Sequence, residues 1–221
     1  MSPLSDWQTC LPVPKRGRVR ALQNLAYISS PPDMSNYFIT AHNSVTAADV
    51  SVARLGTRFG RMDLSSQLAL LAVESFAPYF ESTPRDRVAI VLAARAGSLP
   101  TDVNFWEGRN ATGGLSPTIF TYTLPSAAIG EIAIRHRLTG PNLCFVGDSR
   151  DVLAEAEDFL RRNEADACVC VFVDVISPAM NKLLGNSETA KATAALLQRN
   201  GPGLPVNEVS LLENLANSPV V

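Results

Sequence analysis

The sequence has little of what most catalytic and metal-binding sites require. Only two of its 221 residues are histidines, and neither a Gly-x-Gly-x-x-Gly segment nor a Walker phosphate loop occurs. Neither His42 nor His136 has a carboxylate nearby at metal-ligand spacing, so we expect no metal site and no cofactor. His42 falls in a polar stretch typical of a loop, and His136 ends a predicted helix, where a surface position is expected.

Three further absences narrow the possible partners and location. The 19 basic residues are balanced by 21 acidic ones, which leaves no positive surplus for nucleic acid. The longest apolar stretch, residues 167–173, is far shorter than the ~20 residues of a membrane helix, so no membrane partner is expected. The first residues have no apolar leader segment, and the four cysteines form no spaced framework. These features predict a cytoplasmic protein with reduced thiols.

The composition is that of a folded domain, because 46% of the residues are hydrophobic and 18% are charged. Prolines at five positions between residues 3 and 32 predict an irregular N-terminal arm over residues 1–40. A short basic run at residues 15–20 is either a partner contact or a solvated face. An α/β domain is predicted over residues 41–200 and a tail over residues 201–221.

Apolar runs and helical spacing alternate along the central part of the chain. Helices are predicted over residues 65–80, 123–137 and 148–163, with short helical turns near residues 102 and 177. Strands are predicted over residues 87–94, 142–146, 167–175 and 193–197, and a further one over residues 21–30. This alternation predicts an α/β fold with a largely parallel mixed sheet flanked by helices. Asp63 or Ser65 is expected to cap the first helix.

Four segments together resemble the β-ketoacyl synthases. Residues 58–74 (RFGRMDLSSQLALLAVE) resemble the Arg-Met-Asp turn that precedes an alanine-rich helix in that family, and residues 87–97 (RVAIVLAARAG) its next strand and glycine turn. Residues 117–141 resemble the small-residue helix that leads into a Leu-x-Gly-Pro turn, and residues 166–178 (DACVCVFVDVISP) the strand after the nucleophile helix. The resemblance extends over about residues 58–200, and it implies one half of a thiolase-like fold.

The same resemblance implies a nucleophile position, which here holds a serine. The family's catalytic cysteine lies eight residues after the turn proline, and that count from Pro141 arrives at Ser149. Two histidines of the family's second half have no counterpart in this chain. A helix dipole of about 1 kcal/mol cannot activate a serine hydroxyl without an adjacent base. Asp148 and Ser149 are therefore interpreted chiefly as helix caps, with a pocket contact and a live nucleophile as alternatives. Cys144 is expected to have a raised pKa among apolar neighbours.

The resemblance implies a noncatalytic ketosynthase-like subunit of the chain length factor type. Its partners would be a complete ketosynthase and an acyl carrier protein of polyketide or fatty acid biosynthesis, in a hetero- or homo-oligomer. The interface would be the strand of Asn142, Leu143, Cys144, Phe145 and Val146, and no catalytic residue is expected. Aromatic side chains add either interface anchors or ordinary core, namely Phe105, Trp106, Phe120 and Tyr122.

Two other functions are compatible with the sequence. One is an acyltransferase or hydrolase in which Ser149 receives a base from a partner chain. The other is an α/β ligand-binding module that shares only the sheet architecture.

Overall fold

A mixed sheet of six strands organises the protein. The computed structural model describes residues 37–111, 115–176, 190–199 and 204–205. The strands lie in the order β3-β2-β4-β5-β1-β6. Their bounds are Tyr37–Thr46 (β1), Val88–Ala94 (β2), Asn142–Val146 (β3), Ala167–Asp174 (β4), Lys191–Arg199 (β5) and Leu204–Pro205 (β6).

The sheet is parallel on one side and antiparallel on the other. β2 pairs in parallel with both β3 and β4, whereas β5 runs antiparallel to β4 and β1. The two-residue β6 adds a short antiparallel pairing to β1. The α/β class and the mixed, helix-flanked sheet are confirmed, and the parallel part is confined to β2, β3 and β4.

Seven helices accompany the sheet within the described residues, and three of them pack on its two faces. α2 and α6 pack on one face, over a core cluster that includes Ile90 and Val171, while α7 packs on the other face, over Val91 and Cys170. The helices are Ala47–Val52 (α1), Leu64–Glu74 (α2), Ala77–Glu81 (α3), Leu99–Ala111 (α4), Pro117–Phe120 (α5), Ser126–His136 (α6) and Ser149–Arg161 (α7).

β2 and β4 lie at the centre because their sequences are apolar at every position except the last residue of β4, Asp174. All seven residues of β2 and all eight of β4 are buried, as expected for parallel strands covered on both faces. An uninterrupted apolar run was therefore a sufficient signal for both strands. Their predicted bounds differ from the observed ones by a single residue.

β1 was not predicted, and its place in the sheet is a correction. It begins at Tyr37, so residues 37–40 belong to the sheet rather than to the irregular arm. His42, expected in a loop, lies in this strand and pairs with Ala195 of β5. The sequence of β1 mixes polar and apolar residues without clean alternation, so local pattern alone gave no strand signal.

Other differences concern helix bounds. The helix predicted over residues 65–80 is two helices, because α2 ends at Glu74 and α3 restarts with Pro78 in its first turn, where a missing amide hydrogen is tolerated. α4 is a helix of 13 residues rather than a turn. The strand predicted over residues 21–30 and the turn over residues 177–184 lie outside the described residues.

Candidate functional site

β3 forms one edge of the sheet, as its position at the end of the strand order shows. The amide of Ile90 donates to the carbonyl of Pro141 at 2.9 Å, and this bond fixes which β3 groups face β2. In a parallel ladder with this register, Leu143 and Phe145 bond to β2. The amide and carbonyl groups of Asn142, Cys144 and Val146 then point to the open edge, where no strand pairs within the described part of the chain.

The side chains of β3 are less covered than those of its neighbour β2. None of its five residues is fully buried, and Val146 is 65% exposed. Cys144 packs on the cluster under α2 and α6, whereas Phe145 packs on the cluster under α7. A short, half-buried strand at an open edge is a surface to which a further strand can add.

The turn before β3 requires a glycine. A Cβ atom on Gly140 would lie 2.3 Å from the carbonyl oxygen of Val88, which is closer than real contacts allow. The Gly140-Pro141 turn therefore approaches the start of β2 backbone to backbone, and it places β3 in register with β2.

Asp148, not Ser149, caps α7. One carboxylate oxygen of Asp148 accepts a hydrogen bond from the Arg150 amide at 2.9 Å, and the Asp148 amide donates to the Asp151 carboxylate at 3.2 Å. Ser149 is the first residue of the helix and is partly exposed. Hydrogen bonds from the Arg150 side chain and amide hold the pKa of Asp148 below its ordinary value, which makes this carboxylate a weaker base for the Ser149 hydroxyl.

Cys144, the cysteine nearest to this helix start, is a poor nucleophile. Burial raises the pKa of the Cys144 thiol to about 11, as expected from its apolar neighbours. At neutral pH the sulfur is therefore almost entirely protonated, and the protonated form does not attack acyl groups.

A small cleft lies at the carboxyl ends of β2 and β4, and the sequence did not reveal it. Its free interior volume is about 10 Å³, roughly the space for one water molecule. Asp63, at the start of α2, accepts hydrogen bonds from the Ser66 amide at 3.0 Å and the Thr101 hydroxyl at 2.6 Å. The starts of α4 and α6 contribute Ser98 and Pro125. The prediction of Asp63 as a cap is confirmed.

Beside the cleft, a buried carboxylate is shared by two partners. Glu131 is 7% exposed and receives two hydrogen bonds from the Arg58 guanidinium, at 2.6 and 3.1 Å, and one from the Tyr122 hydroxyl at 3.0 Å. Burial, with the hydrogen bond to Glu131, raises the pKa of Tyr122 to about 12. Glu131 lies between Ile129 and Ile132 on the buried face of α6, and a carboxylate in such a position signals a partner.

The four singled-out aromatic residues divide into different roles. Tyr122 is buried in the core and belongs to the Glu131 group. Trp106 and Phe120 are about 60% exposed. The Phe120 ring contacts the Phe105 ring at a tilt of 46°, with ring centroids 5.5 Å apart. Trp106 and Phe120 are thus available for a contact at the surface, whereas the buried Tyr122 is not.

The comparisons with known proteins identify the fold. No protein-family model matches the sequence, and no curated protein matches it at a significant level. Among solved structures, the chain is similar to the ishigamide ketosynthase/chain length factor, with 18% identity and a TM-score of 0.64 over 77% of this chain and 64% of that one. The chain has the fold of these ketosynthase/chain length factor structures.

Two further structures share this ketosynthase-like fold. A ketosynthase in complex with its chain length factor from Xenorhabdus doucetiae has 16% identity and a TM-score of 0.59, over 76% of this chain and 80% of that one. A type II PKS acyl-carrier protein in complex with its ketosynthase bound to the hexaketide has 14% identity and a TM-score of 0.60, over 74% of this chain and 63% of that one. The chain spans less than two thirds of the matched chain in the first and third of these structures.

The two histidines of the sequence lie in elements other than α7. His42 is exposed on β1, and His136, expected at the surface, is buried at the end of α6 against the Phe80 ring. The break between α2 and α3 brings Phe80 over the end of α6, and no local pattern predicts that contact.

Within the described residues, no group of three or more His, Cys, Asp or Glu side chains is placed to hold a metal ion. No helix in those residues is long and apolar enough to cross a membrane.

Proposed function

We propose that this protein is a noncatalytic ketosynthase-like subunit of the chain length factor type. It pairs with a complete β-ketoacyl synthase in polyketide or fatty acid biosynthesis, in the cytoplasm, and the pair receives its substrate from an acyl carrier protein. The similar structures include a ketosynthase with its chain length factor and a ketosynthase with an acyl-carrier protein, which supports this assignment.

The open edge of β3 is the observation that carries the proposal. The outward-facing amides and carbonyls of Asn142, Cys144 and Val146 are oriented to pair with a strand from another subunit. By resemblance to the β-ketoacyl synthases, this strand pairs with its counterpart across the dimer axis. A partner strand would satisfy these backbone groups and cover the exposed Val146 side chain.

The apolar surface next to β3 supports a large interface. Gly97 lies against both the Val146 side chain and Pro125, so the end of β3 adjoins the start of α6. Leu124, directly before Pro125, is 63% exposed, and Leu99 at the start of α4 is also exposed. Exposed apolar side chains beside an unpaired strand are typical of a protein–protein contact.

The chemistry at the start of α7 supports a noncatalytic role. Ser149 is adjacent to a capping carboxylate of lowered pKa, and Cys144 has a raised pKa. Neither histidine lies beside Ser149 in the described structure, since His42 is in β1 and His136 ends α6. A serine hydroxyl needs an activating base to form an acyl-enzyme, so these observations support the noncatalytic assignment.

Co-expression with a complete ketosynthase tests the pairing. We expect the two chains to co-purify as a stable complex, because the complex covers the β3 edge and the adjoining apolar side chains. Failure to form any complex with ketosynthases from the same genome would contradict the proposal and leave the fold assignment intact.

A substitution in β3 locates the interface. Val146→Pro removes one outward-facing amide, and we expect it to abolish co-purification. Val146→Thr keeps the amide and the branched shape and serves as the matched control, which should still bind. The interface would lie elsewhere if both variants bound the ketosynthase equally well.

Mass spectrometry after exposure to acyl-CoA or acyl-carrier thioesters tests the noncatalytic assignment. The expected result is no covalent adduct on Ser149, with or without the co-expressed ketosynthase. An acyl group on Ser149 that disappears in Ser149→Ala would show an acyltransferase or hydrolase instead.

A further inference from the structure

His136 occupies an unusual position for a titratable group. It ends α6, is 8% exposed, and meets the Phe80 ring of α3 edge-on with ring centroids 5.1 Å apart. Its Nε2 atom has no hydrogen-bond partner among the described residues. The nearest carboxylate oxygen, Oε2 of Glu74 at the end of α2, is 3.5 Å away. The imidazole therefore lies between three helices, with one ring nitrogen unsatisfied.

The charged groups around His136 come from three elements. Glu74 approaches from α2 and forms an ion pair with Arg135 of α6. Arg85, in the turn before β2, adds a second positive charge, and α3 contributes the uncharged ring of Phe80. The carboxylate is thus already paired with a guanidinium, and it is not free to compensate a second cation fully.

A proton on His136 would be poorly accommodated here. The added charge would be buried against an aromatic ring and near two guanidinium groups, and the Glu74 carboxylate that opposes it is shared with Arg135. Burial lowers the pKa of His136 from its ordinary value, Arg135 and Arg85 lower it further, and Glu74 opposes them.

We propose that Glu74, Arg135 and His136 form an acid-sensitive contact, the α2–α6 corner, which holds α2 on α6 when His136 is neutral and weakens when it is protonated. Both helices begin at the cleft, where they place Asp63 and Pro125. Acid therefore loosens the pair of helices that shapes this part of the protein. The inference is independent of the proposed function, because it concerns a contact within one chain.

The direction of the pH effect follows from linkage. The ordinary pKa of histidine is 6.5, and that of the folded protein is lower. Between these two values the unfolded chain binds more protons than the folded one. The stability contributed by neutral His136 is therefore complete at higher pH, and it declines as the pH falls through 6.5.

Urea denaturation of the full chain at pH 7.5, 6.5 and 5.5 tests the proposal. In the wild type the urea midpoint falls as the pH decreases, whereas in His136→Phe, which keeps an apolar ring against Phe80, the decline is lost. His42→Gln removes the other histidine of the sequence, which is exposed, and should leave the wild-type decline unchanged. An equal decline in His136→Phe and the wild type would overturn the proposal.

An NMR titration of the wild type keeps the test independent of whether the variant folds. With two histidines, His42→Gln assigns both imidazole signals. The His136 signal should titrate below 6.5, the ordinary pKa of histidine. Hydrogen exchange, corrected for the intrinsic pH dependence, should show loss of protection in α2 and α6 at pH 5.5 but not in α7. A His136 signal that titrates at or above 6.5, or unchanged protection of α2 and α6, would refute the acid-sensitive contact.

Discussion

The position of β3 depends on the absence of a Cβ atom at Gly140. The carbonyl of Val88 occupies the space in which any other residue would have its Cβ. The Gly-Pro turn is therefore needed for backbone contact, and no positive φ is involved at this position. Gly140 belongs to the segment that resembles the β-ketoacyl synthases. The close approach of the Val88 carbonyl is a steric reason for a glycine at this position.

Gly140→Ala should lower the free energy of unfolding by about 1–3 kcal/mol, because the new methyl group forces the turn away from β2. Gly130→Ala is the matched control: a Cβ on Gly130 would meet nothing within 4 Å, and it lies inside α6. That change should stabilise the protein by about 0.5–1 kcal/mol, since alanine restricts the unfolded chain. Urea denaturation measures both, and equal effects would contradict the steric argument.

Cys144 should react slowly with iodoacetamide in the native protein. A thiol whose pKa is about 11 instead of 9.0 has about 100-fold less thiolate at pH 7.5, and alkylation requires the thiolate. Peptide mass spectrometry measures the alkylation rate of Cys144 alone, and the rates in native and urea-unfolded samples can then be compared. Rapid native alkylation would mean that Cys144 lies in a more polar environment than the structure describes.

At the scale of the element, α7 begins where a side chain satisfies its first amides. Asp148 has extended backbone angles and accepts from the Arg150 amide, and Asp151 receives the Asp148 amide in return. Such a reciprocal arrangement closes a helix start without a ligand. The helix start beside Ser149, the position that resembles a nucleophile site, is therefore stabilised by Asp148 and Asp151.

Asp148→Ala should cost about 1 kcal/mol of unfolding free energy, because the cap is lost. Ser149→Ala, one residue along, should change it by less than about 0.5 kcal/mol, since Ser149 is a first-turn residue and not the cap. The pKa of Asp148 is lowered, so the difference between the variants should persist at neutral pH and disappear only as the pH falls below 3.8. Equal destabilisation by both changes would contradict the capping assignment.

At the scale of the whole molecule, the open edge of β3 and the apolar groups beside it determine how the chain associates. In the part of the chain that the structure describes, β2, β4 and β5 have neighbouring strands on both sides, whereas β3 has one. Because an exposed strand edge and apolar side chains favour association, we expect the chain to self-associate when no ketosynthase is present.

Sedimentation analysis of the isolated chain should show a concentration-dependent dimer, and Val146→Pro should shift it toward the monomer. Val146→Thr should behave as the wild type, because its amide still faces the edge. A urea midpoint common to the two variants will show that the proline acts on association and not on folding. A wild type that stays monomeric at all concentrations would count against an interface on β3.

Much of the sheet could be predicted because its buried strands have almost entirely apolar sequences. β2 and β4 are apolar at nearly every position, and Asn142–Val146 was predicted with its observed bounds. β1 could not be predicted, because its partner β5 is about 150 residues away and antiparallel pairing leaves little local trace in a mixed polar sequence. The mixed direction of the sheet follows from that same distant pairing.

The amino-acid sequence by itself determined the central strands and the serine at position 149, and it narrowed each helix cap to two neighbouring candidates, since these features depend on side chains close in the chain. Only the tertiary structure decided that β3 lies at an edge, that Glu131 is shared by Arg58 and Tyr122, and that His136 is buried beside Glu74. These features depend on contacts between residues far apart in sequence. Periodicity and capping depend on residues that are close in sequence, whereas burial and charge pairing depend on residues that are close in space.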